Sequence, residues 1–358
     1  MTTSPGAVPK ASLYYYKDSI WSSVALLTLE EKGYGPDEVD LKEVDLGRGE
    51  NFDPTYLRIN ANATVPTLVV PLSTTLEPEV ESRYKAIKDT KSIVEFLDKS
   101  RSPQSRTHTT STAPAPTLAP ATIAFSSASN GVIDLLHSLP ADPNALFFLN
   151  ARNDEELKQV TPILRPLLHA KTDAITELIR QNEGSDIKVS EKTVKFWELR
   201  RAASAMMLDV IDEGDKSVGE LDDTGKHSRQ EYFTAATNGW TALQEVLTTL
   251  SKEIIGPFVL GDQLSLADLH LAAWLTHIAW LSGASASDDG NAAVAAIEAH
   301  IGNNFALPKD FSVAEARRRA GLPATTVDPN ERQARLAAFW DAIKERPSWK
   351  KVYAEGLH

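Results

Sequence analysis

The hydrophobic pattern of the first hundred residues switches repeatedly between strand-like alternation and helix-like spacing. It predicts strands over 11–16, 39–44, 67–72 and 83–88, and helices over 22–32 and 89–99, with a short helix capped by Asp53 before the third strand. Residues 73–81 are predicted to be a loop. In the last helix, the residues predicted to face inward are Ile93, Val94, Phe96 and Leu97. This order implies an α/β domain over residues 11–99, with a sheet covered by helices.

The apolar spacing beyond residue 122 is helical almost throughout. Helices are predicted over 123–138, 154–182, 190–212, 228–252, 266–281, 292–301 and 329–346. Pro162 and Pro166 are expected to break the second of these helices, because proline lacks the N–H that an interior turn needs. Residues 213–227, rich in Asp, Glu and Gly, are expected to form an exposed loop. The chain after residue 122 is therefore predicted to be an all-α domain.

Two segments have the composition of flexible chain. Residues 1–10 are small, polar and proline-containing, and we expect them to be disordered. In residues 100–122, 14 of the 23 positions are Ser, Thr or Pro. Such a segment buries little apolar surface to offset its ordering entropy, so it is predicted to be a mobile linker.

The clearest local signal is the run Ser265-Leu266-Ala267-Asp268, which has the form of a capping box. In that arrangement the serine and the acidic residue each satisfy the other's backbone N–H at the first turn of a helix. The run predicts a helix start at Leu266 and carries no reaction chemistry.

Composition excludes several functional classes. A chain of 358 residues is long enough for two domains. Its net charge of −12 is spread along the chain, which argues against nucleic acid and anionic membranes as partners. The absence of cysteine excludes disulfides, cysteine-ligated zinc and a cysteine nucleophile. No apolar run is long enough for a membrane span and the N-terminus lacks a signal-like stretch, so a cytoplasmic location is expected.

Common catalytic motifs are also absent. The sequence has no P-loop, no G-x-G-x-x-G, no H-E-x-x-H and no G-x-S-x-G. His270 and His277 lie on one predicted helix, and isolated histidines of this kind are usually structural. No metal site is predicted.

The stretch GENFDPTYLRINANATVPTL, over residues 49–68, resembles without a gap the glutathione transferase pattern G-E-x-x-x-P-x-x-L-x-x-N-P-x-G-x-V-P-x-L. Ser19 precedes Gly33 by fourteen residues, a spacing similar to that of serine-type members of this family. Two later runs look like the family's capped core helix and closing motif: Gly261–Leu269, and Phe339-Trp340 with Arg346–Lys350. Departures from the pattern are Ile20, Val24, Ala61 and Ala63.

The resemblance covers residues 11–99 and roughly 228–352, and residues 141–227 have no counterpart in it. It implies glutathione transferase architecture, with a thioredoxin-like glutathione-binding domain over 11–99 and an enlarged all-helical domain over 123–358. An insertion around 141–227 would account for the enlargement.

The resemblance also implies a site. Ser19 would donate a hydrogen bond to the glutathione sulfur and favour the reactive thiolate. Its structural alternative is that Ser19 or Ser22 caps the first helix. Tyr15 is the rival donor, because it stands eighteen residues before Gly33, as the tyrosine of tyrosine-type members does.

The remaining glutathione contacts implied by the resemblance are Asn51, Thr64, Val65, Pro66, Asp89 and Thr90. Val65-Pro66 would be a cis-proline loop whose Val65 backbone pairs with the peptide part of the ligand. Thr90 and its helix N-terminus would bind the γ-glutamyl carboxylate, and Asp89 would hold the ammonium group. Asn51 would contact the glycyl carboxylate, although Phe52 replaces a lysine frequent beside it.

The implied activity is attack of glutathione, as co-substrate, on a small hydrophobic electrophile, a detoxification reaction. The second substrate would lie against the helix 123–138, with Phe125 and Asn130 as candidates by position and burial in the core as the alternative for Phe125. A homodimer is also implied. The alternative function is a non-catalytic glutathione-binding or regulatory protein on the same fold.

Overall fold

The computed structural model describes residues 10–71, 84–102, 111–324 and 328–358. These residues form two compact units. The first unit comprises Met1–Lys42, Pro66–Pro143 and Ala242–His358, and the second comprises Glu43–Val65 and Asn144–Thr241. Of the N-terminus predicted to be disordered over 1–10, residues 1–9 lie outside the described residues, as does the loop predicted over 73–81. Lys10 is described, and its ammonium group lies 3.1 Å from the Pro36 carbonyl and 3.2 Å from the Asp40 carboxylate.

The predicted order of elements in the front part of the chain is confirmed. The strands there are β1 Ala11–Tyr15, β2 Val39–Glu43, β3 Thr67–Pro71 and β4 Tyr84–Ile87, and the helices are α1 Ile20–Glu31, α2 Pro54–Ile59 and α3 Thr90–Ser100. Asp53 caps α2 as predicted, its carboxylate accepting from the Thr55 N–H at 2.7 Å.

Helices dominate the remainder of the chain. They are α4 Ile123–Leu136, α5 Pro143–Phe148, α6 Asp154–Glu183, α7 Glu191–Ile211, α8 Asp223–Glu253, α9 Leu266–Leu281, α10 Gly290–Ile301, α11 Val313–Arg319, α12 Arg335–Lys344 and α13 Pro347–Val352. Two short strands, β5 Phe311–Ser312 and β6 Arg332–Gln333, form a small separate pair. No helix among the described residues is long and apolar enough to span a bilayer.

The four front strands form one sheet in the order β2-β1-β3-β4. β3 is antiparallel to both β1 and β4, with Tyr14 opposite Thr67 and Leu68 opposite Ile87. The core under the sheet contains Leu13, Ala25, Leu29, Leu68, Val70, Ile93 and Leu97. This is the thioredoxin-like α/β arrangement, which confirms the predicted fold class.

The inward prediction for Phe96 is wrong. This side chain is 37% exposed, whereas Ile93, Val94 and Leu97 are buried. The three buried positions form one stripe of α3, and Phe96 lies at its edge.

Part of the predicted mobile linker is anchored. Ala115 and Leu118 are buried, and the backbone N–H groups of Leu118 and Ala119 donate to the Asp98 carboxylate at 2.9 and 3.1 Å. The same carboxylate forms a buried ion pair with Lys32 at 2.9 Å. The prediction of mobility is therefore wrong for this stretch, because composition does not reveal a buried acceptor elsewhere in the chain. Residues 103–110 lie outside the described residues.

Helix α9 is buried along nearly its whole length and packs against α1 and α4 in the first unit. It begins at the predicted capping box, where the Ser265 N–H donates to Asp268 at 2.7 Å. The other oxygen of Asp268 accepts from the Val259 N–H at 2.6 Å. Burial raises the pKa of Asp268 to about 6, against the lowering effect of these bonds. Asp268 therefore starts the helix and fixes the preceding loop.

The prolines do not break helix α6. It runs unbroken through Pro162 and Pro166 and packs along α7 in the second unit. Each proline removes one backbone bond, but Leu157, Leu164 and Leu168 are buried on the same helix. Tertiary burial of this face offsets the missing bonds.

Two other boundaries differ from the prediction. The expected loop over 213–227 contains a short 3₁₀ turn at Val218–Glu220, and α8 begins already at Asp223. The helix expected from residue 329 begins only at Arg335, because the preceding residues pair as β6.

Candidate functional site

The sheet brings three of the predicted site residues to one edge of the first unit. Because β3 is antiparallel to β1 and β4, its N-terminal end lies at the same edge as their C-terminal ends. Ser19 follows β1, Pro66 precedes β3 and Asp89 follows β4. Helices α1 and α3 therefore both begin at this edge.

Ser19 is the N-cap of α1, so the structural alternative holds. Its Oγ accepts a hydrogen bond from the Ser22 N–H at 3.3 Å. The side chain is half-buried, and its own hydroxyl hydrogen has no acceptor among the described residues. The first turn of α1 contains no acidic residue. Capping uses only an oxygen lone pair, so the hydroxyl hydrogen can still be donated to a ligand.

Tyr15 packs against the core cluster under the sheet. It is the last residue of β1. A tyrosine in this position contributes apolar area to the core.

Asp89 and Thr90 begin helix α3. The Asp89 carboxylate caps the helix, accepting from the Ser92 N–H at 2.8 Å, while its side chain remains exposed. Thr90 is 8% exposed. The cap and a ligand role for Asp89 are compatible, because a carboxylate has a second oxygen and further lone pairs.

In the second unit, hydrogen bonds hold the loop that contains Thr64 and Val65. The Thr64 carbonyl accepts from the Tyr56 hydroxyl at 2.6 Å and from the Asn60 amide at 2.9 Å. Asn51 donates its side-chain amide to the Ala63 carbonyl at 2.8 Å. These bonds fix the backbone just before Pro66.

The roles of Tyr56 and Asn60 were missed by sequence reasoning. Both lie inside the family-like stretch of residues 49–68, and Asn60 is its only asparagine matched to the pattern. That match was the available signal. The amide hydrogen that Asn51 gives to Ala63 cannot also be given to a glycyl carboxylate, so any such contact requires the second hydrogen of the same amide.

Ala63 adopts a left-handed conformation with φ 56°, a backbone shape that favours the glycine of the family pattern. Its methyl group is buried with Phe52, Ile175 and Trp197. Burying one methyl contributes about 0.8 kcal/mol, against a cost of about 1–2 kcal/mol for an L-residue in this conformation. Burial of the alanine methyl therefore offsets part of the cost of this backbone shape.

Helices α6 and α7 pack on the same segment. Trp197 of α7 is fully buried and donates its indole N–H to the Phe52 carbonyl at 3.1 Å. The Lys171 ammonium of α6 lies 5.9 Å from the centre of the Phe52 ring. Helices α6 and α7 thus support the segment that carries Asn51 and Thr64, within the second unit.

A cluster of aromatic rings lies beside Ser19 in the first unit. Trp21, two residues after Ser19, stacks on His137 with ring centres 3.9 Å apart and planes 20° apart. His137 Nε2 lies 3.0 Å from His270 Nδ1. Burial lowers the pKa of His137 and lowers that of His270 well below its usual value. Sequence reasoning missed this cluster because its three residues are far apart in the chain.

His277 is also buried, and burial lowers its pKa to about 4. Both histidines of α9 are therefore internal groups, as isolated helix histidines usually are. Phe125 of α4 is 44% exposed, so its alternative placement in the core is wrong; Asn130 is also exposed. The described residues include no group of three or more His, Cys, Asp or Glu able to hold a metal ion.

Comparisons with known proteins agree with this geometry. Residues 18–100 match the family described as glutathione S-transferase, N-terminal domain. A segment of 64 residues is 48% identical to the tetrachloro-p-hydroquinone reductive dehalogenase of Sphingobium chlorophenolicum. That match spans 18% of this chain and 25% of the relative's length.

Solved structures with similarity along most of this chain include a glutathione transferase and a beta-etherase. Glutathione transferase F7 from Populus trichocarpa is 15% identical, with 96% of this chain and 98% of that one covered and a TM-score of 0.46. The beta-etherase LigF from Sphingobium sp. strain SYK-6 is 14% identical, with 97% and 100% covered and a TM-score of 0.47. At these TM-scores, no role of a residue in those structures is assigned to a residue of this chain.

Proposed function

Because this chain belongs to the glutathione transferase superfamily, we propose that it binds glutathione and stabilises the thiolate for attack on a hydrophobic electrophile. The observation that carries the proposal is the Ser19 hydroxyl. Its oxygen accepts from the Ser22 N–H, and its hydrogen is left for a ligand at the start of α1. Ser19 thereby serves as helix cap and as sulfur-binding donor together.

The energetic effect of such a donor is appreciable. A free thiol has a pKa of about 8.5 and is mostly protonated at neutral pH. A hydrogen bond to a charged group contributes about 1.5–3 kcal/mol, equivalent to lowering the thiol pKa by roughly one to two units. The partial positive charge at the N-terminus of α1 acts in the same direction.

The peptide part of glutathione would be held by the other predicted residues. In the second unit, the fixed backbone around Thr64 and Val65 would pair with the cysteinyl part of the ligand before Pro66. In the first unit, Thr90 and the start of α3 would bind the γ-glutamyl carboxylate, and the exposed Asp89 would hold the ammonium. Asn51 would contribute its second amide hydrogen to the glycyl carboxylate.

The second substrate would be an aromatic halide or a similar apolar electrophile that contacts α4. The last turn of that helix is the part joined to the site, because Asp134 pairs with Lys91 at the start of α3 at 2.9 Å. Ile123 and Phe125, at the opposite end of α4, are 88% and 44% exposed, but they are too far away to contact the same small molecule, since a helix rises about 1.5 Å per residue. The relative named a reductive dehalogenase of tetrachloro-p-hydroquinone acts on a chlorinated ring. In the simplest reaction, the thiolate forms a carbon–sulfur bond as the carbon–halogen bond breaks and halide leaves. A detoxification role in the cytoplasm and a homodimer complete the proposal.

The alternative is a non-catalytic glutathione-binding protein, favoured by the bond from Asn51 to Ala63 and by the departures at Ala61 and Ala63. Titration calorimetry with glutathione, followed by assays with an aryl halide and an isothiocyanate, separates the two functions. Binding with turnover supports the enzyme, and binding without turnover supports the alternative. Absence of glutathione binding would refute both.

A further inference from the structure

In the His137–His270 pair, two ring nitrogens share one hydrogen bond and the other two have no hydrogen-bond partner among the described residues. His270 is fully buried, and its Nε2 has no hydrogen-bond partner in the described part of the chain. Its Nδ1 lies 3.0 Å from His137 Nε2, so one of these two nitrogens carries the shared hydrogen. His137 is partly desolvated beside Trp21 but still reaches solvent, and among the described residues its Nδ1 forms no hydrogen bond. Of the two nitrogens without a partner, only His137 Nδ1 is therefore on a side chain that reaches solvent.

The position of the hydrogens follows from burial and from nearby charge. Unpaired buried N–H groups are rarer in proteins than acceptors that lack a partner, which favours an unprotonated Nε2 on His270. His270 Nδ1 then donates to His137 Nε2, and the remaining hydrogen of His137 is on its exposed Nδ1. Desolvation lowers the pKa of His137, while the carboxylates of Asp134 and Asp89 act on the ring in the opposite direction. Lys91, which opposes them, is paired with Asp134 at 2.9 Å.

Trp21 connects this donor to the helix that begins at the proposed sulfur site. Trp21 belongs to the first turn of α1, which Ser19 caps, and its ring fixes the plane of His137 by stacking. The ion pair between Lys91 and Asp134 joins the first turn of α3 to the last turn of α4, which His137 ends. The starts of α1 and α3 therefore both contact the C-terminal end of α4, where His137 lies.

We propose that His137 is a fixed, uncharged hydrogen-bond donor for an oxygen of the group attached to the glutathione sulfur, with His270 and Trp21 as its positioning residues. The inference rests on the proposed function, because it requires glutathione at Ser19. It specifies the second substrate further, as an electrophile with a carbonyl or similar oxygen close to the reacting carbon. His137 acts as donor only, because its Nε2 lone pair is already occupied by His270.

A matched pair of conjugates tests the donor without requiring turnover. S-phenacylglutathione has a carbonyl oxygen where S-(2-phenylethyl)glutathione has a methylene group. A neutral hydrogen bond gives roughly a two- to tenfold difference in affinity. We expect calorimetry to show tighter binding of the phenacyl conjugate by that factor, and His137→Phe to abolish the difference while glutathione itself binds unchanged. His227→Phe, a control at an exposed histidine of α8, should retain the preference.

The tautomer is tested separately by ¹⁵N NMR of the histidine side chains in the full-length protein. We expect His137 to be protonated at Nδ1 alone, and His270→Leu to convert it to a mixture of tautomers with loss of the phenacyl preference. Equal affinity for the two conjugates in the natural protein, or an Nε2-protonated His137, would overturn this inference while leaving the proposed function intact. Failure of glutathione itself to bind would overturn both.

Discussion

The buried ion pair between Lys32 and Asp98 allows a quantitative test of how the first unit is held together. Both side chains are almost fully buried, with 1% and 2% of their surface exposed and 2.9 Å between Nζ and Oδ1. Asp98 also accepts the N–H groups of Leu118 and Ala119. Asp98→Asn keeps the shape of the side chain but removes its charge and replaces one acceptor oxygen with a donor. Lys32 is then left as a buried cation without a counter-charge.

Removing one member of a buried ion pair costs about 3–5 kcal/mol, because the remaining charge stays out of water. Native proteins are stable by only about 5–15 kcal/mol, so the variant should lose a large fraction of its free energy of unfolding. Urea unfolding followed by tryptophan fluorescence measures this loss. Limited proteolysis should also show faster cleavage within residues 111–122, whose backbone bonds to Asp98 are weakened.

Two control variants isolate the cause. Glu95→Gln removes an exposed pair on the same helix, where Lys99 lies 3.4 Å away, and should change stability by less than about 1 kcal/mol. Lys32→Met combined with Asp98→Asn removes the uncompensated cation and should recover at least half of the loss. A cost below about 1 kcal/mol for Asp98→Asn would refute the reasoning. A double variant no more stable than the single one would show that the lost backbone bonds, and not the charge, dominate.

Four further outcomes are expected. Ser19→Ala should lower turnover roughly ten- to a hundredfold and raise the pKa of bound glutathione while binding is nearly retained; the same result for Tyr15→Phe instead would identify a tyrosine-type enzyme. Thr90→Ala should weaken glutathione binding in calorimetry and leave the thiol pKa almost unchanged. His277 has a folded pKa of about 4 against the usual 6.5, so its contribution to the free energy of unfolding is complete above pH 6.5 and should fall by about 1.4 kcal/mol per pH unit between pH 6.5 and 4. His277→Phe should flatten that part of the pH–stability curve. Asp268, with its pKa raised to about 6, acts in the opposite direction and lowers the free energy of unfolding as the pH rises from 4 to 6. Light scattering at micromolar concentration should give the mass of a dimer, and a monomer mass would contradict the proposed homodimer.

Local sequence determined much of the secondary structure. The capping box at Ser265 and Asp268 predicted the start of α9, because both partners of a helix cap lie within four residues. The α/β order of the front domain followed from periodicity for the same reason: each strand or helix shows its buried face in its own residues. The likeness of residues 49–68 to the glutathione transferase pattern predicted the loop before Pro66, whose shape depends mainly on local hydrogen bonds.

Features that depend on distant contacts were decided only by the tertiary structure. Helix α6 passes through Pro162 and Pro166 because its leucines are buried against other elements, which outweighs local propensity. Residues 111–119 are ordered because Asp98 and Lys32, at earlier positions in the chain, bind their backbone. The contact between His137 and His270 joins residues 133 positions apart, and no periodicity or spacing encodes such a pair. Local chemistry thus specifies which helices and strands form, while burial and long-range partners specify which polar groups meet.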